Sequence, residues 1–123
     1  MRLIALLAVV IAIVTAVVVA GPAGASPAKA PGVVRVKALA SGLKFDRTTL
    51  HARAGKIKLV FTNLSTLQHN VRIESGEHEL GGTRTIRKGT ASTVVSLEKG
   101  SYNFYCSVPG HEDAGMRGTL VVS

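Results

Sequence analysis

The chain has 123 residues, with 15 Lys and Arg residues against 7 Asp and Glu residues and a single cysteine. Once the N-terminal segment is set aside, this length leaves room for one small domain and excludes a second one. The single cysteine excludes a disulfide within the chain. The scattered basic residues lack the aromatic-interleaved basic motif of nucleic-acid-binding proteins, so we expect no nucleic acid partner.

The N-terminal segment has the pattern of an export signal. Residues 3–20 are apolar apart from Thr15, Arg2 precedes this run, and Ala23-Gly24-Ala25 offers a cleavage site for a signal peptidase. The length of the run is also close to the roughly 20 residues that cross a bilayer. We therefore expect residues 1–25 to be a signal peptide or an uncleaved membrane anchor, with cleavage preferred. The protein would then be exported to the periplasm, the cell envelope or the extracellular space.

Residues 26–32 (SPAKAPG) are rich in Pro, Ala and Gly and contain no bulky apolar side chain, which is typical of a linker. The folded domain is therefore expected at residues 33–123. Without Arg2 the chain carries 14 basic and 7 acidic residues, a formal charge of +7. Such a charge favours an acidic partner.

From Val33 onward apolar and polar residues alternate, and turn residues recur about every eight to twelve positions, as in an all-β domain. Strands are predicted at residues 33–39, 49–52, 56–62, 93–97, 101–106 and 119–122, with a further extended stretch around 69–73. The polar segment 74–88, which contains three glycines, is predicted to be a loop with one edge strand. About seven short strands in a hundred residues indicate a β-sandwich.

Two polar side chains are predicted to face the core. In a strand, residues two positions apart point to the same side, so His69 shares a face with Val71 and Ile73. By the same geometry Cys106 shares a face with Phe104. A histidine that points inward needs a partner, because burying an unpaired polar group is costly.

The segment from Cys106 to Met116 places a thiol, an imidazole and a thioether close together in the sequence. Four residues separate Cys106 from His111, and four separate His111 from Met116. Pro109, Gly110 and Gly115 supply the stiff and the sharply turning positions that a tight loop needs. Such a loop can bring all three side chains to one point.

Copper suits this donor set better than zinc does. Thiolate and thioether ligands are soft and favour Cu(I), imidazole also serves Cu(II), and a thioether is a poor ligand for zinc. The second imidazole is expected from His69, whereas His51 and His78 lie in polar stretches and are predicted to be surface residues. Taken singly, each residue has an ordinary structural explanation, such as a buried Cys or a core Met. Only their joint spacing indicates a metal site.

The pair His69-Asn70 and the segment from Tyr105 through Cys106, His111 and Met116 to RGTLVV resemble the cupredoxins, the family of plastocyanin, azurin and auracyanin, over nearly the whole domain. The resemblance implies a Greek-key sandwich of seven to eight strands and one type 1 copper ion held by His69, Cys106, His111 and Met116. It also implies transfer of single electrons. The Cys-x4-His-x4-Met spacing looks closer to auracyanin and rusticyanin than to plastocyanin, where two residues separate Cys and His.

Three functions follow as hypotheses. The first is an electron carrier that is not an enzyme and works as a monomer with redox partner proteins that have an acidic docking face. The second is a copper-binding protein for storage, delivery or resistance. The third is an enzyme with Cys106 as nucleophile and His111 or His69 as base. Met116 would contribute nothing to the third, so we expect an electron carrier.

Overall fold

The computed structural model describes residues 18, 21, 24 and 29–123. The predicted signal or anchor at 1–25, apart from three isolated positions, and the first part of the predicted linker at 26–32 lie outside the described residues. In the described part of the chain, no helix is long and apolar enough to cross a membrane.

The described residues form eight β-strands in two sheets, and the prediction of an all-β Greek-key sandwich is confirmed. The strands are β1 (Gly32–Ala38), β2 (Thr49–Ala52), β3 (Gly55–His69), β4 (Arg72–Ser75), β5 (His78–Gly82), β6 (Ile86–Leu97), β7 (Gly100–Tyr105) and β8 (Arg117–Val122). One sheet has three strands in the order β1-β3-β6, and the other has five in the order β2-β8-β7-β4-β5.

Alternation of apolar and polar residues produces the core between the sheets. In β3, Ile57, Leu59 and Phe61 are buried while Lys56 and Lys58 are exposed. From the opposite sheet, residues such as Ile73, Phe104 and Leu120 fill the same core. Burial of these side chains is the main favourable contribution to the stability of so small a domain.

An irregularity in β3 sets the position of its last residue. The β3–β6 register runs regularly to Asn63 opposite Gly89 and resumes at Gln68 opposite Arg87, so β3 contains three extra residues. The amide of the buried Asn63 closes this bulge: Nδ2 donates to the carbonyls of Leu67 (2.8 Å) and Ile86 (2.9 Å), and Oδ1 accepts from the amide of Ser65 (2.9 Å). The bulge brings His69 opposite Ile86.

The strand predictions fail mainly between residues 63 and 92. β3 and β6 are much longer than the predicted 56–62 and 93–97. The segment 74–88, predicted as a loop with one edge strand, does contain the edge strand β5, but also the end of β4 and the start of β6. The polar residues there belong to an exposed edge, since β5 is the last strand of its sheet. Its Gly82 faces the Val71 carbonyl so closely that a Cβ would overlap it. Gly81 and Gly82 therefore mark close packing, whereas Gly76 lies in the turn between β4 and β5 with open space around it.

Candidate metal centre

His69 ends β3, and its side chain is fully buried. The prediction that it points inward is confirmed, but it does not share a strand with Ile73. The chain leaves the three-stranded sheet after His69 and enters the five-stranded sheet at Arg72. His69 therefore lies at the end of the sandwich, where the chain passes from one sheet to the other.

Cys106 directly follows β7, is fully buried, and lies at the base of the loop that leads to β8. Its amide donates to the Met116 carbonyl (3.0 Å), and the Met116 amide donates to the His111 carbonyl (3.1 Å). Gly110 and Gly115 adopt positive φ angles of 82° and 110°, as expected for the turning positions. The backbone thus folds the loop so that its two ends meet.

The side chains of His69, Cys106 and His111 converge, as the sequence predicted. Nδ1 of His69 lies 3.1 Å from Nδ1 of His111, and Sγ of Cys106 lies 3.8 Å and 3.6 Å from these two nitrogens. The point equidistant from the three atoms is about 2 Å from each, close to the length of a metal–nitrogen or metal–sulfur bond. At this distance one ring nitrogen can donate a proton to the other, and a cation at the equidistant point would take the place of that proton and accept both lone pairs.

The environment of His69 favours its neutral form. Burial, with a smaller contribution from the nearby His111, lowers the pKa of His69 below its usual value. A neutral imidazole keeps a lone pair available for a metal ion. Nδ1 of His69 is the nitrogen at the cluster, whereas its Nε2 has no hydrogen-bond partner among the described residues.

Asn70 connects the two segments that carry these side chains. Its Nδ2 donates to Oγ of Ser107 (2.7 Å) and to Oγ1 of Thr85 (2.9 Å), while its Oδ1 accepts from the amide of Ser107 (2.8 Å). Ser107 follows Cys106 directly, so the side-chain amide of Asn70 links the end of β3 to the start of the loop. The sequence analysis singled out Asn70 as the neighbour of His69, but it gave no signal for Ser107 or Thr85.

Met116 is fully buried, and its backbone bonds to both His111 and Cys106. His111 is half-buried and therefore has one side toward solvent. His51 and His78 are exposed, as predicted, and the metal-site geometry among the described residues involves neither of them.

Residues 33–123 match the family described as copper binding proteins, plastocyanin/azurin family. The chain belongs to this family. It is therefore a cupredoxin, a blue copper protein with a single type 1 copper ion, and the cluster above has the donor chemistry that such an ion requires.

Individual relatives agree with this assignment. Plastocyanin of Lactuca sativa is 32% identical over 92 residues, which cover 67% of this chain and 90% of that protein. The copper-resistant cuproprotein CopI of Rubrivivax gelatinosus is 27% identical over 114 residues, which cover 77% of this chain and 68% of that protein. The structure of auracyanin A from Chloroflexus aurantiacus superposes with a TM-score of 0.69 at 22% identity, covering 76% of this cupredoxin and all of auracyanin A.

Proposed function

We propose that this cupredoxin carries single electrons between redox partners outside the cytoplasm and is not an enzyme. The observation that carries the proposal is the preformed triangle of two imidazole nitrogens and one thiol sulfur, fixed by the loop hydrogen bonds and by Asn70. A site held this rigidly changes little between two oxidation states, and a small rearrangement is what electron transfer without bond making requires.

His69, Cys106, His111 and Met116 would hold the copper ion, with the thiol and the two imidazoles as its strong donors and the thioether as a weak one. When bound, the ion supplies one-electron chemistry between Cu(II) and Cu(I). The buried His69 and Cys106 fix the ion from inside, and the half-buried His111 connects it to the surface. Asn70 orients Ser107 and, through it, the neighbouring thiol.

Electrons would enter and leave through the His111 edge, around which lie Val108, Pro109 and Ala114. Replacing Val108, which is half-buried, with Asp places a charge in this patch without touching a ligand. We expect electron self-exchange between two copies to slow by roughly tenfold, since an apolar docking residue is lost, while the visible spectrum stays unchanged. Line broadening in NMR spectra of partly reduced protein measures the rate.

Val94→Asp is the matched control, because Val94 is 53% exposed in β6 and belongs to the flank of the sandwich. Its self-exchange rate should stay within about threefold of that of the parent. Equal rates for Val108→Asp and the parent would count against docking at the His111 edge.

A redox partner with an acidic face would be attracted at long range, because the domain carries a formal charge of +7. Its contact at the His111 edge would be made with the apolar side chains there. We further propose that residues 1–25 act as a signal peptide or anchor, that 26–32 form a linker, and that the domain at 33–123 acts as a monomer in the periplasm, cell envelope or extracellular space.

The second candidate function is copper storage, delivery or resistance, which the similarity to CopI favours. The two functions differ in what happens to the metal on reduction. A carrier should retain its copper through repeated cycles with ascorbate and ferricyanide in the presence of the Cu(I) chelator bicinchoninate. Transfer of most of the copper to the chelator within the first cycle would instead support delivery and refute the carrier proposal.

A further inference from the structure

The positive charge of the protein is concentrated on one of its two sheets. β1, β3 and β6 together contain six Lys and Arg residues and no Asp or Glu. The five strands of the other sheet contain two basic and two acidic residues. Residues 29–123 carry seven more basic than acidic residues, so nearly all of this excess lies on the three-stranded sheet.

Four of the six cations point outward from this sheet. Arg35, Lys37, Lys56 and Lys58 are exposed, and each lies next to a buried apolar residue of its strand, so all four point away from the core. The register places Lys58 between Val33 of β1 and Val94 of β6, which are 51% and 53% exposed. We call these six residues the basic face.

No ion pair neutralises the basic face among the described residues. The ion pairs found there are Arg47 with Asp46 and Arg72 with Glu79. Asp46 accepts a hydrogen bond from the backbone amide of Lys37, not from its side chain, so the ammonium group of Lys37 stays unpaired. The face therefore presents unpaired cations together with two exposed valines.

The face lies beside the point where the N-terminal region joins the domain. Lys29 and Lys56 line one groove, with Arg53, at the start of β1. The preceding chain includes the apolar residues 3–20. A membrane-bound precursor or an anchored protein would thus hold the basic face close to a bilayer. Its exposed valines suit the boundary between headgroups and acyl chains, and its cations suit lipid phosphates.

We propose that the basic face binds the anionic phospholipid headgroups of a membrane surface. The candidate metal centre lies at the end of the sandwich, where the loop beside His111 carries Glu112 and Asp113 instead of basic residues. A protein resting on its basic face would therefore keep the His111 edge free for a redox partner. This inference stands independently of the electron-carrier proposal, because it uses none of the ligand residues.

The test is sedimentation of copper-loaded protein with vesicles, using residues 26–123 so that the apolar segment does not contribute. This fragment contains all eight described strands and every residue of the described core. The vesicles are phosphatidylcholine alone or phosphatidylcholine with about one third phosphatidylglycerol, at low ionic strength. We expect binding only to the anionic vesicles, and release by added salt.

Lys56→Gln/Lys58→Gln should weaken binding by roughly 25-fold, since each cation near an anionic surface contributes about fivefold. The matched control is Lys99→Gln/Arg117→Gln, which removes the same charge from exposed positions outside the three-stranded sheet, one in the turn before β7 and one in β8. The control should lose less than about threefold, through the weaker long-range field. The visible spectrum shows that all three proteins are folded.

Three outcomes would overturn the proposal. The first is an equal loss of vesicle binding in Lys56→Gln/Lys58→Gln and in the control variant. The second is equal binding of the parent to neutral and anionic vesicles, and the third is unchanged vesicle binding by Lys56→Gln/Lys58→Gln. Polyglutamate serves as a second probe, in place of an acidic protein. If Lys56→Gln/Lys58→Gln kept its vesicle binding and lost only its binding to polyglutamate, the face would belong to an acidic protein partner.

Discussion

A substitution at Met116 should change the reduction potential of the copper without abolishing copper binding. It is a proposed ligand of the copper ion, and its side chain is fully buried. Met116→Leu keeps the side-chain volume, so the free energy of unfolding of the metal-free protein should fall by less than about 1.5 kcal/mol. The thioether would be the weakest donor, so its loss should leave the copper bound and coloured. The reduction potential should rise, because Cu(II) loses a donor. Voltammetry of the variant and the parent checks this, and an unchanged potential would remove Met116 from the ligand set.

Single residues also show where sequence reasoning reaches its limit. Cys106, His111 and Met116 could be predicted together because they lie within one short loop whose glycines fix its shape. The inward direction of His69 was predicted from its alternation with Val71 and Ile73, and it is correct although Ile73 lies in the next strand. The contacts of Asn70 with Ser107 and Thr85 were not, because they join residues 37 and 15 positions apart, and such pairings depend on how the two sheets pack.

At the scale of elements, the bulge in β3 determines where His69 lies. Asn63→Ala would leave the carbonyls of Leu67 and Ile86 and the amide of Ser65 without their partner. We expect the free energy of unfolding to fall by about 3 kcal/mol, since buried polar groups lose their hydrogen bonds. The blue absorption band should also shift as His69 moves. Chemical denaturation and visible spectroscopy measure the two effects.

Asn103→Ala is the control, since Asn103 is exposed in β7 and should cost less than about 0.5 kcal/mol. An Asn63→Ala protein with parental stability and spectrum would show that the bulge holds without its amide.

The approach of β8 to β7 depends on a glycine. A Cβ at Gly118 would overlap the Phe104 ring and the Thr48 carbonyl. Gly118→Ala should therefore destabilise the domain by about 1–3 kcal/mol through overpacking. Gly32→Ala, at a position with open space, should change the stability little. Thermal unfolding of both variants decides the point, and equal melting temperatures would contradict the packing argument.

The same packing explains why some strands were predicted and others were missed. β2 was predicted with the bounds that it has, because its ends coincide with polar turn residues. The extensions of β3 and β6 were missed, and β4 and β5 were predicted only as an extended stretch around 69–73 and one edge strand without bounds, because these residues are polar, Gly-containing or bulged. They become strands only through pairing with residues distant in sequence.

At the scale of the whole molecule, the net charge sets how the protein meets charged reagents. With a formal charge of +7, oxidation of the reduced protein by the anion ferricyanide should slow as salt is added. Oxidation by the cation tris(phenanthroline)cobalt(III) should accelerate, because salt then screens a repulsion. Stopped-flow rates between low and moderate ionic strength should differ by roughly tenfold in opposite directions. Oxidation rates that do not change with ionic strength would contradict the proposal of a redox partner with an acidic face.

The most direct test of the copper site compares Cu(II) binding by the parent, Cys106→Ala and the neighbouring variant Ser107→Ala. The parent and Ser107→Ala should show intense visible absorption on adding Cu(II). Cys106→Ala should lose that absorption, and its copper affinity should fall by more than the roughly 10- to 100-fold that removing an outer partner of a ligand costs. A Cys106→Ala protein that binds Cu(II) as tightly as the parent and with the same colour would contradict the proposed ligand set.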